Sequence, residues 1–102
     1  MITYFTDKQI LVEKWLNQMG FQTDLERVYG SYCCDIALEN DWVVEIDGPR
    51  HYPKEILKRD IELKNLGVKE IIHVPIDISK DEFKKLILIK LKEGKDILDK
   101  ND

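Results

Sequence analysis

A chain of 102 residues with 43% apolar content is enough for one compact domain with a modest core, and a second domain is not expected. It has no apolar run of eighteen residues and no basic stretch leading into an apolar one, so neither a membrane span nor a signal peptide is predicted and a cytoplasmic protein is the expectation. The net charge of -4 argues mildly against nucleic-acid binding through a broad basic field.

The distribution of charge says more than its sum. Acids gather in a central cluster and in the tail at Glu93, Asp96, Asp99 and Asp102, whereas Arg50, Lys54, Lys58, Arg59 and Lys64 lie together just after the cluster. A bound divalent cation would offset part of the negative charge. The two cysteines, Cys33 and Cys34, are neighbours in a predicted strand, point to opposite faces and lack the paired spacing of a zinc site. They read as two small strand residues in a reducing compartment.

Thr6-Asp7-Lys8-Gln9 fits a capping box and Gly20 a stop, which predicts a helix from about Asp7 to Met19. Leu11, Val12, Trp15, Leu16 and Met19 form its apolar stripe, and Glu13 falls on the flank, near whatever the helix packs on. Phe21 to Val28 is predicted as a strand turning at Tyr29-Gly30-Ser31.

A hairpin follows, with strands Tyr32 to Leu38 and Trp42 to Asp47 around the polar loop Glu39-Asn40-Asp41. With Leu38 and Trp42 as the flanking pair, positions summing to eighty face each other, which sets Asp35 across from Glu45 and Cys33 across from Asp47. Alternation then puts Cys33, Asp35 and Ala37 on one surface with Val43, Glu45 and Asp47. Directly opposed like charges, with Cβ atoms roughly 4.5–5.5 Å apart, are destabilising, so something must compensate.

Gly48-Pro49 breaks the strand, and a helix from Lys54 to Leu66 is predicted behind Pro53, ended by Gly67. Its apolar residues Ile56, Leu57, Ile61, Leu63 and Leu66 spread widely, which predicts substantial burial, with Lys58, Glu62 and Asn65 on the remaining polar face. Glu70 to Val74 is a short strand ended by Pro75. Ser79-Lys80-Asp81-Glu82 is a second capping box, opening an apolar helix through Phe83, Leu86, Ile87 and Leu91. The expected domain has its core over about residues 7–92 and a frayed tail over 93–102. The order of elements implies an α/β fold, a small mixed β-sheet flanked by helices, with the last strand joined to the hairpin through a crossover helix.

Three carboxylates on one strand face, Asp35, Glu45 and Asp47, have two ordinary explanations, a solvated acidic face or a hard-cation site for Mg²⁺ or Mn²⁺. Glu45 and Asp47 interrupt an apolar run, Trp-Val-Val-x-Ile, of the interior-strand kind, where charge is expensive unless paired or metal-bound. Gly48 allows close backbone approach, Arg50 suits a phosphate oxygen, and His51 suits a proton donor or acceptor or a further ligand. Each also has a plainer reading. Arg50, Lys54, Lys58 and Arg59 are ordinary surface charges, Glu13 ordinary helix surface, and His73 a packed strand residue.

The strings Tyr32-Cys33-Cys34-Asp35-Ile36-Ala37-Leu38, Val44-Glu45-Ile46-Asp47-Gly48-Pro49-Arg50-His51-Tyr52, Leu57-Lys58-Arg59, Leu66-Gly67 and Ile72-His73-Val74-Pro75 resemble the RAP domain, a module of RNA-processing proteins. The resemblance spans roughly residues 7–78. RAP domains are similar in turn to the PD-(D/E)XK, restriction-endonuclease-like, superfamily of Mg²⁺ nucleases. It implies that fold, Asp35 and Glu45 as metal ligands, His51 as the matching histidine and Glu13 as the helix acid.

Asp47 stands where that superfamily carries a lysine, so water activation would fall to His51, a metal-bound water, or Lys58 or Arg59. Ile76-Asp77-Ile78 replaces the usual aromatic ending, and a domain standing alone is the expectation, whereas RAP domains usually accompany helical repeats. The expectation is a Mg²⁺- or Mn²⁺-dependent nuclease favouring RNA over DNA, with Arg50, Lys54, Lys58 and Arg59 on the nucleic acid. Nucleases of this architecture often pair, so a homodimer is an open expectation. The rival readings are a non-catalytic RNA-binding module and a protein-interaction module using the apolar helix 80–92.

Overall fold

The loop Glu39-Asn40-Asp41 fixes the centre of the fold. Asp41 takes a left-handed φ of +62° and its amide donates to the Leu38 carbonyl at 3.3 Å, the geometry of a three-residue hairpin loop. The register beyond it is the predicted one, with Ala37 paired to Val43 and Ile36 to Val44. In the computed structural model, residues 5–48 and 53–100 are described, with side chains through residue 93. Arg50 and His51 lie outside the described residues.

Seven elements follow in order: α1 (Asp7–Gln18), β1 (Thr23–Tyr29), β2 (Tyr32–Leu38), β3 (Trp42–Asp47), α2 (Pro53–Asn65), β4 (Glu70–Pro75) and α3 (Lys80–Lys100). The sheet order is β1-β2-β3-β4. β1 and β2, and β2 and β3, run antiparallel, whereas β4 lies parallel to β3 after the α2 crossover. The predicted mixed sheet with flanking helices is the observed α/β architecture. Among the described residues no helix is long and apolar enough to cross a membrane.

Both predicted helix starts carry the expected N-cap bond, and the capping box of α1 is reciprocal. Thr6 accepts from the Gln9 amide at 3.1 Å while Gln9 reaches back to the Thr6 amide, and Ser79 accepts from the Glu82 amide at 3.2 Å. α1 and α2 end alike. Gly20 (φ +98°) and Gly67 (φ +109°) adopt the left-handed backbone, and the amides of Phe21 and Val68 turn back to the carbonyls of Leu16 and Leu63, as in a Schellman motif. That closure withdraws Phe21 from the predicted strand, so β1 starts at Thr23 and Phe21 packs on the core.

One face of the sheet, with Ile36, Leu38, Val44, Ile72 and Val74, meets Val12, Trp15 and Leu16 of α1 and Phe83 and Ile87 of α3. Trp15 and Phe83 touch with ring centroids 5.6 Å apart. Lys8 ties this layer to the start of α3, donating to the Ile78 carbonyl at 2.6 Å and lying over the Trp15 ring. The opposite face is smaller: Cys34, Ala37, Val43 and Ile71 meet Leu63 and Val68.

The substantial burial predicted for α2 does not occur. Leu63 is its buried residue, while Leu57, Ile61 and Leu66 stand exposed at 62%, 53% and 48%. The physical reason is the surface it covers. β3 and β4 present Glu45, Asp47 and His73 toward α2, so the helix turns Arg59 and Asp60 inward to meet them. Glu62, predicted on the polar face, accepts a hydrogen bond from the Tyr32 hydroxyl instead of facing water. Counting apolar residues around the helix could not anticipate a polar partner.

This asymmetry predicts unequal truncation costs in urea unfolding. Leu63→Ala removes a fully buried side chain and should cost about 2–5 kcal/mol. Leu57→Ala, at an exposed position, should stay within about 0.5 kcal/mol.

Candidate active site at the end of the central hairpin

The predicted face assignment holds along β3 and fails in β2. Val43 and Ile71 sit on the α2 side of the sheet, and Glu45, Asp47 and His73 continue that face through their contacts with α2 and with each other. In β2, however, Cys34 shares the α2 side with Ala37, although residues three apart should lie on opposite faces. The alternation therefore breaks between them. Cys33 does not face Asp47; its thiol donates to Glu26 of β1 at 2.9 Å.

The cause is visible in the neighbouring strand. Glu26 has φ +59°, a left-handed conformation uncommon for a residue other than glycine and costing on the order of 1–3 kcal/mol. The β1–β2 pairing skips Glu26 and Asp35 while keeping one register on either side, Leu25 with Ile36 and Arg27 with Cys34. At this irregularity the Asp35 side chain accepts a hydrogen bond from the Ile46 amide, at 2.8 Å from Oδ2. Its carboxylate occupies a place in the ladder between β2 and β3.

Glu45 is the buried acid of the site, 6% exposed. Burial pushes its carboxyl up to about 7; the charge of Arg59 opposes that rise, the charge of Asp35 adds to it, and hydrogen bonds from the Cys34 thiol and the Asp35 amide oppose it again. Arg59 reaches Glu45 Oε1 with Nη2 at 3.3 Å, donates to the Cys33 carbonyl at 2.8 Å, and lies over the Tyr32 ring. The compensation that opposed acids require thus comes from an arginine on α2 rather than from within the hairpin. Cys34, beside the same carboxylate, has its thiol pushed up to about 12, chiefly by burial, so it is no nucleophile at neutral pH.

Asp47 turns to the next strand. His73 Nδ1 lies 3.3 Å from Asp47, and Nε2 lies 2.7 Å from Asp60 Oδ2 on α2. Burial would lower the imidazole's pKa, but the hydrogen bonds and charges of Asp60 and Asp47 outweigh it and raise it from its ordinary value. The second Asp60 oxygen and the Arg59 Nε are buried without a partner among the described residues.

Among the described residues no three His, Cys, Asp or Glu side chains are grouped so as to hold a metal ion. Asp35 and Glu45 come together, whereas Asp47 pairs with His73. Two carboxylates still fit a hard cation of the Mg²⁺ kind, which keeps several waters and needs only one or two carboxylate ligands. A Glu45 pushed toward neutrality beside a second acid is an environment that a divalent charge would relieve.

The remaining predicted residues divide. Glu13 accepts from the Thr23 hydroxyl at 2.9 Å, at the end of β1 whose partner is Leu38, away from Asp35. The α1 residue that does touch this region is Gln9, one turn earlier, bonded to the Asp35 carbonyl at 2.8 Å. Lys54 and Lys58 stand exposed on the outer side of α2, while Arg59 is committed inward. Asp60, His73 and Gln9 belong to the site although the sequence reading does not point to them. For His73 a signal existed, since alternation from Ile71 along a strand parallel to β3 sets it beside Glu45.

Comparison with solved structures finds a fold similar to the "Homing Endonuclease I-Bth0305I Catalytic Domain", with a TM-score of 0.59 at 16% identity, over 88% of this chain and 92% of that one. At that identity the likeness shows the fold. No family model matches the sequence, and a search of curated proteins returns no match.

The raised Glu45 carboxyl carries a sign for stability. Its folded value of about 7 lies above the ordinary value of 4.5, so the fold favours the protonated acid, and that contribution is present below about pH 4.5 and is lost as pH rises through 7. In metal-free buffer, wild type should therefore lose stability relative to Glu45→Gln between pH 4.5 and 7.5; parallel pH profiles in urea melts would refute the burial argument. Separately, His73→Leu leaves two acids facing each other across a vacated imidazole. It should cost about 1–3 kcal/mol in the same melts at pH 6.

Proposed function

We propose that this chain is a divalent-metal-dependent nuclease cutting phosphodiester bonds, in RNA in preference to DNA. The observation that carries the reading is the pairing of Asp35 with the buried Glu45 at the open end of the β2–β3 hairpin. Two further supports stand beside it. One is the fold shared with a homing endonuclease catalytic domain; the other is the motif resemblance to RAP domains, on which the preference for RNA rests.

In this reading Asp35 and Glu45 are the ligands of Mg²⁺ or Mn²⁺. A cation bound there supplies charge neutralisation at the scissile phosphate and a water of lowered pKa. The protein's own part is orientation. The Ile46 amide fixes the Asp35 carboxylate, and Arg59 with the Cys34 thiol and the Asp35 amide fixes that of Glu45. Arg59 acts here on the carboxylate and not on the phosphate. Lys54 and Lys58, exposed on α2, attract the nucleic-acid backbone. Arg50, which follows Gly48 in sequence, steadies the phosphate, and His51 transfers the proton that a lysine at position 47 would otherwise manage. Asp47 holds His73 and through it joins β3 to α2.

A second reading has its own observation. Arg59 already neutralises Glu45 in part, and no three-donor cluster is present among the described residues, as expected of a fold that binds RNA without cutting it. Labelled single-stranded and duplex RNA and DNA, incubated with Mg²⁺ or Mn²⁺, separate the two. Asp35→Ala and Glu45→Ala should each lose about 10²-fold or more in cleavage rate. Retarded but uncut RNA under both metals, or variants that cut as well as wild type, would establish the binding module instead.

A further inference from the structure

Helix α1 meets the Asp35 corner through a polar contact inside the core. Gln9 is 3% exposed, and its Nε2 donates to the Glu26 carboxylate at 2.9 Å and to the Asp35 carbonyl at 2.8 Å. Its Oε1 accepts from the Thr6 amide at 3.4 Å. The side-chain amide can sit only this way round, because flipping it would aim an oxygen at two acceptors.

Glu26 completes the arrangement. It is the strand residue in left-handed backbone, opposite the point where the β1–β2 pairing skips Asp35. One carboxylate oxygen takes the Gln9 amide and the other the Cys33 thiol. Two residues flanking the irregularity are therefore tied down, Asp35 through its carbonyl and Cys33 through its side chain. A strained backbone conformation persists where its surroundings over-determine it, and here they do so next to the proposed ligand.

We propose that Gln9 and Glu26 are positioning residues for Asp35. By gripping its carbonyl from α1 and holding the break in alternation open, they turn the Asp35 carboxylate into the plane of the sheet, onto the Ile46 amide and beside Glu45. The catalytic meaning of this device rests on the metal-site reading above; the placement of Asp35 does not. It also gives the capping box of α1 a second duty, since the Gln9 that closes the helix start is the residue that reaches the corner.

The test reads the Ile46 amide directly, by hydrogen exchange on the ¹⁵N-labelled protein, with Ile72 in the same core as the internal control. Gln9→Met keeps bulk and removes the donor. Ile46 should exchange at least about tenfold faster in it, with Ile72 unchanged, as a local opening requires. Asp35→Ala, which removes the acceptor, marks the full effect, and Glu26→Met, which keeps bulk and removes the acceptor of the Gln9 amide, should shift Ile46 in the same direction and carries the comparison if Gln9→Met fails to fold. Mn²⁺ affinity, measured by titration without substrate, should fall about tenfold in Gln9→Met, in the range for groups that orient ligands. Wild-type exchange at Ile46 in the folded variants overturns the proposal. A wild type that binds no Mn²⁺ and cuts nothing, with Ile46 still accelerated, overturns the nuclease reading and leaves the positioning of Asp35 standing.

Discussion

The carboxylate of Glu45 is the constraint around which the smaller half of this fold is arranged. An acid in the central part of a sheet loses most of its hydration and must find opposite charge or accept a proton. It meets both demands in part: Arg59 approaches to 3.3 Å, and its carboxyl still rises to about 7. The orientation of α2 follows. A helix that must deliver Arg59 to one strand and Asp60 to the next cannot also bury Leu57 and Ile61, and these remain in solvent. The helix is held on the sheet by polar partners and by Leu63 alone among fully buried side chains.

Polar contacts of this kind divide the protein into two layers of different character. The α1–α3 face is an apolar core of ordinary composition, into which Gln9 is the buried polar intrusion among the described residues. The α2 face carries an alternating array of charges, Glu45 with Arg59, and Asp47 and Asp60 with His73. Such arrays contribute little net stability, because desolvation offsets much of the attraction, yet removing one member leaves another uncompensated. Their value is placement, and the strand ends where they gather are where the candidate ligands lie.

The absence of a lysine at position 47 acquires a physical account in the same terms. Asp47 is paired with His73 on the parallel neighbour β4, and His73 is shared with Asp60 on α2. An acid at this position thus ties three elements together, and a lysine in its place would leave the Nδ1 side of His73 without its carboxylate partner on β3.

Much was legible in the residues themselves. Capping boxes, terminal glycines and a three-residue loop are local devices, so the helix starts, the hairpin and the register that brings Asp35 toward Glu45 could be read from spacing alone. Strict alternation carries the face of β3 and, along the parallel β4, the place of His73 as well. What spacing could not contain is any decision made between elements distant in the chain. The left-handed Glu26 that shifts the faces of β2, the choice of Gln9 over Glu13 as the residue reaching the corner, and the inward turn of Arg59 and Asp60 all depend on which surfaces meet. A period of two or of 3.6 describes one element, whereas the partner of a buried charge is set only when the layers close.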